Sequence, residues 1–272
     1  MVKISIVTIS YNQGRFLPRC VASIVGQRYS DYEHIIVDPG STDGSREWIA
    51  SNMHSRMRLV SDSDSGPAQG LNHGLAEARG DIFMYLNADD ELAPGALADI
   101  ADQHDRLPDV DVIIGNGWTI DREGVPLGFV RSDRFTLPRH LLGVGTVLQQ
   151  ATIFKMRVFE KGLLFNESNR CTWDSELLLD CYMNGASISN IPRSWGYFRL
   201  HDESITMSAR YLQALRAESA RITKRVTPVP RWLLGLLSYP ARLQKKLANL
   251  PAEIGRREIF PGLVNPDLES RQ

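Results

Sequence analysis

The chain has 272 residues and a formal net charge of -1, from 31 Lys and Arg against 32 Asp and Glu, with 43% hydrophobic and 23% charged residues. That balance is ordinary for a globular protein and excludes a disordered chain, a collagen-like chain and a wholly basic nucleic-acid binder. Three cysteines (Cys20, Cys171 and Cys181) are too few and too scattered for a disulfide framework or a four-ligand zinc site, so a reducing, cytoplasmic setting is expected.

Ile4 to Ile9 is short and β-branched and reads as a strand, with no charged and apolar leader before it. Phe16, Leu17, Cys20, Val21, Ile24 and Val25 then fall at helical spacing. Ile35-Ile36-Val37 is a second strand, and Asp43 is placed to cap a helix running through Trp48 and Ile49. Met57 to Val60 reads as a third strand, Ala68 to Ala78 as a helix ended by Gly80, Ile82 to Leu86 as a fourth strand, and Pro94 to His104 as a helix. Strands alternating with helices imply right-handed crossovers and a mostly parallel α/β sheet.

In such a sheet the loops after the strands emerge at one edge, where open α/β folds bind ligands. Here they read Ser10-Tyr11-Asn12, Asp38-Pro39-Gly40-Ser41-Thr42-Asp43, Asp62-Ser63-Asp64-Ser65-Gly66 and Asn87-Ala88-Asp89-Asp90. Carboxylates gathered in one crevice repel unless a cation or many donors neutralise them, which points to a hard divalent metal or a polyhydroxylated ligand. The first strand is not followed by a Gly-x-Gly-x-x-Gly turn, and the chain has no Walker A pattern, which argues against a nicotinamide dehydrogenase and a P-loop enzyme.

Five segments in order resemble a family 2 glycosyltransferase of the GT-A fold, of the kind that builds bacterial surface polysaccharides. They are Ser5 to Asn12, Ile36 to Ser45, Ser61 to Gly66 with Gly70 to Gly74, Leu86 to Leu92, and Trp173 to Leu177. The resemblance covers roughly residues 3–205. Pro39, His73, Asn87 and Trp173 depart from the family pattern, and the Gln-x-x-Arg-Trp motif of processive synthases is missing, so one sugar per binding event is expected. The resemblance implies a GT-A, mostly parallel mixed sheet in residues 1–208, with a nucleotide-sugar half over about 1–92 and an acceptor half over about 93–208. A basic helical extension follows at 209–272.

For the site, the resemblance implies Asp89 as a ligand of Mg²⁺ or Mn²⁺, with His201 as a second ligand or a phosphate donor. Thr8, Tyr11, Asp38, Asp64, Asn72, Asn87, Asp90 and Arg199 are expected on the nucleotide or donor sugar, Tyr11 by stacking on the base. For Asp38 the base or ribose is the leading reading and a turn carboxylate capping the next helix the lesser one, and Asn87 reads as a hydrogen-bond acceptor for a hydroxyl rather than a metal ligand. Asp174 is the expected general base, with Glu176 as runner-up, and Gln149 and Gln150 belong to an acceptor-side segment.

Residues 209–257 carry eleven Lys and Arg against Glu218 and Glu253, a local net of +9 that leaves the rest of the chain at -10. Trp232, Leu233, Leu236, Leu237, Leu243 and Leu247 alternate with Arg242, Lys245 and Lys246, which suits a helix lying on an anionic membrane surface or one packed on its own protein. Aromatic interleaving is too sparse for nucleic acid. The reading is an inverting glycosyltransferase that uses a nucleotide-diphosphate sugar and a glycan or lipid-linked glycan acceptor, peripheral on the inner face of the membrane. The alternatives are a polyprenyl-phosphate sugar synthase and a non-catalytic nucleotide-sugar-binding protein.

Overall fold

A computed structural model describes residues 1–205, 208–230, 232–240 and 242–243. Its first half is a run of β/α units: β1 (Ile4–Ile9), α1 (Leu17–Val25), β2 (Tyr32–Val37), α2 (Ser45–Asn52), β3 (Met57–Val60), α3 (Pro67–Glu77) and β4 (Ile82–Tyr85). β5 (Glu91–Leu92) and α4 (Ala96–Arg106) follow, then the hairpin of β6 (Val112–Ile120) and β7 (Pro126–Val130), and α5 (Leu137–Leu141). β8 (Thr152–Lys155), α6 (Trp173–Met183), β9 (Ile188–Arg199) and α7 (Leu212–Val226) complete the order. A further helical stretch covers 232–240, and the rest of the basic extension, with Lys245, Lys246, Arg256 and Arg257, lies outside the described residues.

The strands form one sheet in the order β3-β2-β1-β4-β8-β6-β9-β5, with β7 beside β6. β3, β2, β1 and β4 run parallel, as the alternation of strands and helices requires. Beyond β4 the sheet is mixed: β8 is antiparallel to β4 and β6, β5 is antiparallel to β9, and β6 is parallel to β9.

Both faces of the sheet are covered, which explains why the strands read as continuous apolar runs rather than alternating ones. Ile4, Ile6, Ile82, Met84 and Ile113 pack towards Ile24 of α1 and Leu97 and Ile100 of α4. Their neighbours Val7, Phe83, Tyr85, Val112 and Ile114 pack on the opposite face with Leu71 and Leu75 of α3 and Leu177 and Leu178 of α6. α3 lies close on the strands because it carries glycine there: a Cβ on Gly74 would come within 2.4 Å of Val7 Cγ1. The outcome is a rigid edge at which the loops after β1, β2, β3 and β4 meet α6 and the end of β9.

Candidate active site

The first two loops brace each other. Asn12, the one non-glycine residue with positive φ (53°) among those described, donates its N–H to Ser41 Oγ at 2.8 Å and accepts Thr42 N–H at 2.9 Å. Asp38 is fully buried beneath this clamp. One of its oxygens accepts the N–H groups of Gly40 and Ser41 at 3.0 and 2.7 Å, and the other accepts the Ser41 hydroxyl at 2.7 Å. Of the two readings of Asp38, the structure displays the turn carboxylate. Asp43 lies one residue before Gly44, the N-cap of α2, rather than at the cap itself; it accepts Ser45 N–H at 3.1 Å and Gly14 N–H at 2.7 Å. Tyr11 is 62% exposed, an open ring at the rim.

Thr8 does not reach that rim. Its hydroxyl is buried against His34 Nε2 at 2.8 Å, and burial pushes the His34 imidazole down to about 3, so that ring is neutral. The side chain expected on the donor is packed here in a strand buried on both faces.

The turn after β4 carries the acidic motif. Asp90 is turned inward. One oxygen accepts Arg199 N–H at 2.9 Å; the other accepts Gln150 Nε2 at 2.6 Å and Asn87 Nδ2 at 3.3 Å. Burial and then the neighbouring Asp89 charge push its carboxyl well above the usual range. Arg199, also expected on the donor, is turned inward. Its guanidinium is buried and donates to the carbonyls of Asp89, Asp121 and Arg122 and to the Glu91 carboxylate, with Phe16 beneath it. It holds the acidic turn from behind and does not face outward to a phosphate. Asn87 keeps one buried side-chain oxygen without a hydrogen-bond partner among the described residues.

Asp89 and His201 face each other, Oδ2 to Nε2, at 2.9 Å. The imidazole is fully buried on Phe16, ring centroids 4.7 Å apart, while Asp89 keeps 17% of its side-chain surface open. Among the described residues no three His, Cys, Asp or Glu side chains converge to enclose a cation. A carboxylate oxygen with one imidazole nitrogen beside it fits a metal that takes one or two protein ligands and completes its shell with phosphate oxygens and water, as Mg²⁺ and Mn²⁺ do. The residues present fit such an ion as an open corner, not as a cage.

Asp174 sits in the first turn of α6 and lines a cavity of about 240 Å³ together with Tyr85, Gln149, Arg134, Arg139 and His140. Burial pushes its carboxyl above the usual range, against the pull of the Ser175 N–H. Gln149 joins the cavity to the sheet by donating to Tyr85 O at 2.7 Å. The next residue, Gln150, holds Asp90 (above), so the cavity abuts the acidic turn.

Glu176 is corrected as runner-up base. It is 1% exposed, forms a bidentate pair with Arg221 at 2.8 and 2.6 Å, and also accepts from Asn166, Asn169 and Arg225. Those partners, the Arg221 hydrogen bond foremost, outweigh its burial and hold its carboxyl down to about 2, far too acidic for a proton acceptor near neutral pH. Asn72 is likewise spent: its amide donates to Phe165 O at 2.9 Å and Glu167 at 3.0 Å and accepts Phe165 N–H at 3.0 Å, closing α3 onto the segment before α6. Asp64 is half-buried between His73 and Arg170, with its carboxyl raised by burial.

The loops at the edge thus carry Tyr11, Asp64, Asn87 and Asp89, with His201 buried against Asp89 and Asp174 in the wall of the cavity, while the side chains of Thr8, Asp38, Asn72, Asp90 and Arg199 are bonded within the protein. Sequence reasoning missed Tyr85, Arg134, Arg139 and His140, which lie in no motif. An aromatic closing the fourth strand next to the acidic turn was the one available signal, for Tyr85.

The family model described as "Glycosyl transferase family 2" matches residues 5–161, more than half of the chain. An uncharacterized glycosyltransferase of Nostoc sp. is 27% identical over 221 residues, 76% of this chain and 68% of that protein. An O-antigen biosynthesis protein of Myxococcus xanthus is 34% identical over 126 residues, 44% of this chain but only 10% of that protein. Among solved structures, S. aureus TarS 1-349 in complex with UDP-GlcNAc has a TM-score of 0.66 at 18% identity, covering 98% of this chain and 77% of that one. The mannosyltransferase PcManGT of Pyrobaculum calidifontis, in complex with GDP-Man and Mn²⁺, has a TM-score of 0.61 at 18% identity, covering 93% and 75%. The mixed sheet flanked by helices is the GT-A architecture expected from the sequence.

Proposed function

The chain belongs to glycosyl transferase family 2, and from that premise we propose that it transfers one sugar, with inversion, from a nucleotide-diphosphate sugar to an acceptor hydroxyl in surface-polysaccharide synthesis. The observation that carries this reading is the cavity with Asp174 in its wall, joined through Gln149 and Gln150 to the turn that presents Asp89. Acceptor and donor are thereby given adjacent places, with a proton acceptor on one side and an anion-facing corner on the other.

In this proposal the nucleotide lies over the loops after β1 and β2, with Tyr11 on its base and Asp64 and Asn87 towards the ribose or sugar. Asp89 and His201 would hold the divalent ion. When bound, that ion offsets the charge that builds on the leaving diphosphate. Asp174 takes the proton as the acceptor oxygen attacks the anomeric carbon from the face opposite the leaving group. Asp90 and Arg199 keep the acidic turn fixed, so its geometry does not have to be rebuilt during the reaction. The nucleotide sugars held by the two structural neighbours support the donor class, and the Mn²⁺ of one of them supports the ion.

A lipid-linked glycan suits the acceptor side. Arg134 lines the cavity beside the Arg139–Asp133 pair, and the extension beyond α7 exposes Trp232, Leu236, Leu237, Tyr239 and Leu243. No helix among the described residues is long and apolar enough to cross a membrane, so the proposed attachment is to an anionic surface. The test is a thermal-shift screen of nucleotide sugars with Mn²⁺, followed by product analysis with the donor it identifies. A new glycosidic bond, resistant to mild acid and absent with Asp174→Asn, is the expected result. Donor binding without turnover, unchanged by that substitution, would replace the enzyme with a nucleotide-sugar-binding protein. An acid-labile glycosyl phosphate would indicate a polyprenyl-phosphate acceptor.

A further inference from the structure

α7 lies beyond the last catalytic segment of the sequence and beyond the family match, yet it bonds through several side chains to the base-bearing helix and its lead-in. Glu218, 9% exposed, accepts the N–H groups of Arg170 and Cys171 at 2.5 and 3.1 Å and the Thr172 hydroxyl at 3.2 Å. One turn on, Arg221 forms its bidentate pair with Glu176, and Glu176 in turn accepts Asn169 Nδ2 at 2.7 Å. Asn169 then accepts the N–H groups of Cys171 and Thr172 at 3.1 and 2.8 Å.

These bonds fall where α6 has no cap of its own. Its N-cap residue, Thr172, makes no side-chain cap bond, and the lead-in N–H groups of Arg170, Cys171 and Thr172 are held by Glu218 and Asn169. Asp174 sits one residue into that turn. The bonds its carboxylate accepts come from backbone N–H groups, that of Ser175 foremost, so its aim follows the backbone of the helix start. Of this lead-in, the backbone of 170 and 171 and the Thr172 hydroxyl are held directly from α7.

We propose that α7 is a positioning element for the transfer step, with Glu218 and the Glu176–Arg221 pair holding the start of α6 so that Asp174 faces the acceptor cavity. The inference rests on Asp174 as the base. It assigns the first helix of the basic extension to the catalytic machinery, whatever the remainder of the extension binds. A displacement of even ~1 Å at a reacting group costs on the order of 10²-fold in rate, so a loosened helix start is expected to register in kcat before it registers in donor affinity.

The experiment compares Glu218→Ala, Glu218→Gln, Arg221→Ala, Arg221→Lys and Asp174→Asn in the full chain, with Lys224→Ala, an exposed position on the same helix, as control. Turnover is measured well below each variant's melting temperature. Binding of UDP and GDP is followed by intrinsic fluorescence, and amide hydrogen exchange is read over 166–175. Both alanine variants are expected to lose at least about ten-fold in kcat, with nucleotide binding unchanged within about two-fold and faster exchange confined to 166–175. Glu218→Gln, which keeps an acceptor oxygen, recovers part of the rate. Arg221→Lys, which keeps charge but loses the planar fork, falls between wild type and Arg221→Ala. If Asp174→Asn is inactive while both alanine variants keep wild-type kcat and merely melt earlier, α7 is a clamp for stability and the inference is overturned. Full activity of Asp174→Asn would remove the base itself, a separate failure that takes the inference with it.

Discussion

Burial raises the Asp174 carboxyl above the ordinary Asp range, and the same fact bears on both activity and stability. As a base it must be ionised, so the acid limb of the kcat profile is expected to be displaced upward from where a solvated Asp would put it. The sign for stability is opposite to the usual carboxylate case. The folded state binds this proton more tightly than the unfolded state, so the contribution of this group to stability increases as pH falls through its folded pKa and is level below the unfolded value. At neutral pH the buried charge is a cost. Asp174→Asn is therefore expected to lower kcat by about 10²-fold or more while raising the melting temperature by ~2–4 °C, equivalent to roughly 1 kcal/mol in a chain of this size. Calorimetry alongside turnover checks the pair, and a variant that melts earlier would contradict the desolvation argument. Glu176 shows the converse at the same helix: its partners hold it at about 2, so the stability it contributes is fully present above about 4.5 and is lost as pH falls towards 2. In Glu176→Gln that acid-dependent loss should be smaller, measured as melting temperature between pH 5 and 3, even though the neutral-pH stability of the variant is also lower.

At the scale of elements, the seating of α3 on β1 and β2 sets how near the loop after β3 comes to the site. Gly74 permits that approach. A Cβ there would lie 2.4 Å from Val7 Cγ1 and 3.2 Å from Val37 Cγ2, both on β-branched side chains with little rotamer freedom. Two effects compete in Gly74→Ala: better helix propensity stabilises by ~1 kcal/mol, and overpacking costs about 1–3 kcal/mol. The 2.4 Å approach to the stiff Val7 side chain decides it for overpacking. The variant should be less stable by about 1–2 kcal/mol in urea titration, and a gain in stability would show that α3 can lift off the sheet freely. The same helix marks where sequence reading stops. Its bounds at Pro67–Glu77 nearly coincide with the apolar spacing of Ala68 to Ala78, because periodicity is a local property. The job of Asn72 on that helix was hidden, because its partners Phe165 and Glu167 are more than ninety residues away along the chain. The inward bonds of Arg199 and Thr8 were hidden for the same reason. The motif supplies a residue at the right place in the chain, but the direction of its side chain depends on elements that only the fold brings near, such as Glu91 and the 121–122 turn behind Arg199.

For the molecule as a whole, the charge split at residue 209 was visible in composition, but the split in contacts falls elsewhere. α7 is bonded to α6 through Arg221 and Arg225, whereas the helical stretch at 232–240 presents Trp232 at 68%, Leu236 at 64% and Tyr239 at 78% exposure. The basic extension therefore has two parts with different contacts, which its net charge as a whole did not separate. An exposed apolar face with Arg242 beside it matches the chemistry of an anionic lipid interface, where each nearby Lys or Arg contributes about 1 kcal/mol. Truncation should separate the two parts. A chain ending at residue 230 retains α7 and every bond described to the start of α6, so it is expected to keep kcat on a water-soluble acceptor within about two-fold, since kcat responds only to groups that differ between ground and transition state. Its binding to vesicles containing phosphatidylglycerol should fall by at least ten-fold in co-sedimentation, and the full chain should release from those vesicles as salt is raised through ~0.5 M, where screening shortens the reach of charge to a few ångströms. A chain ending at residue 208 should lose turnover as well. If the 230-residue chain remains on the vesicles, the exposed face has another occupant; if it loses turnover while binding nucleotide normally, the boundary between catalysis and attachment lies further along the extension than Val226.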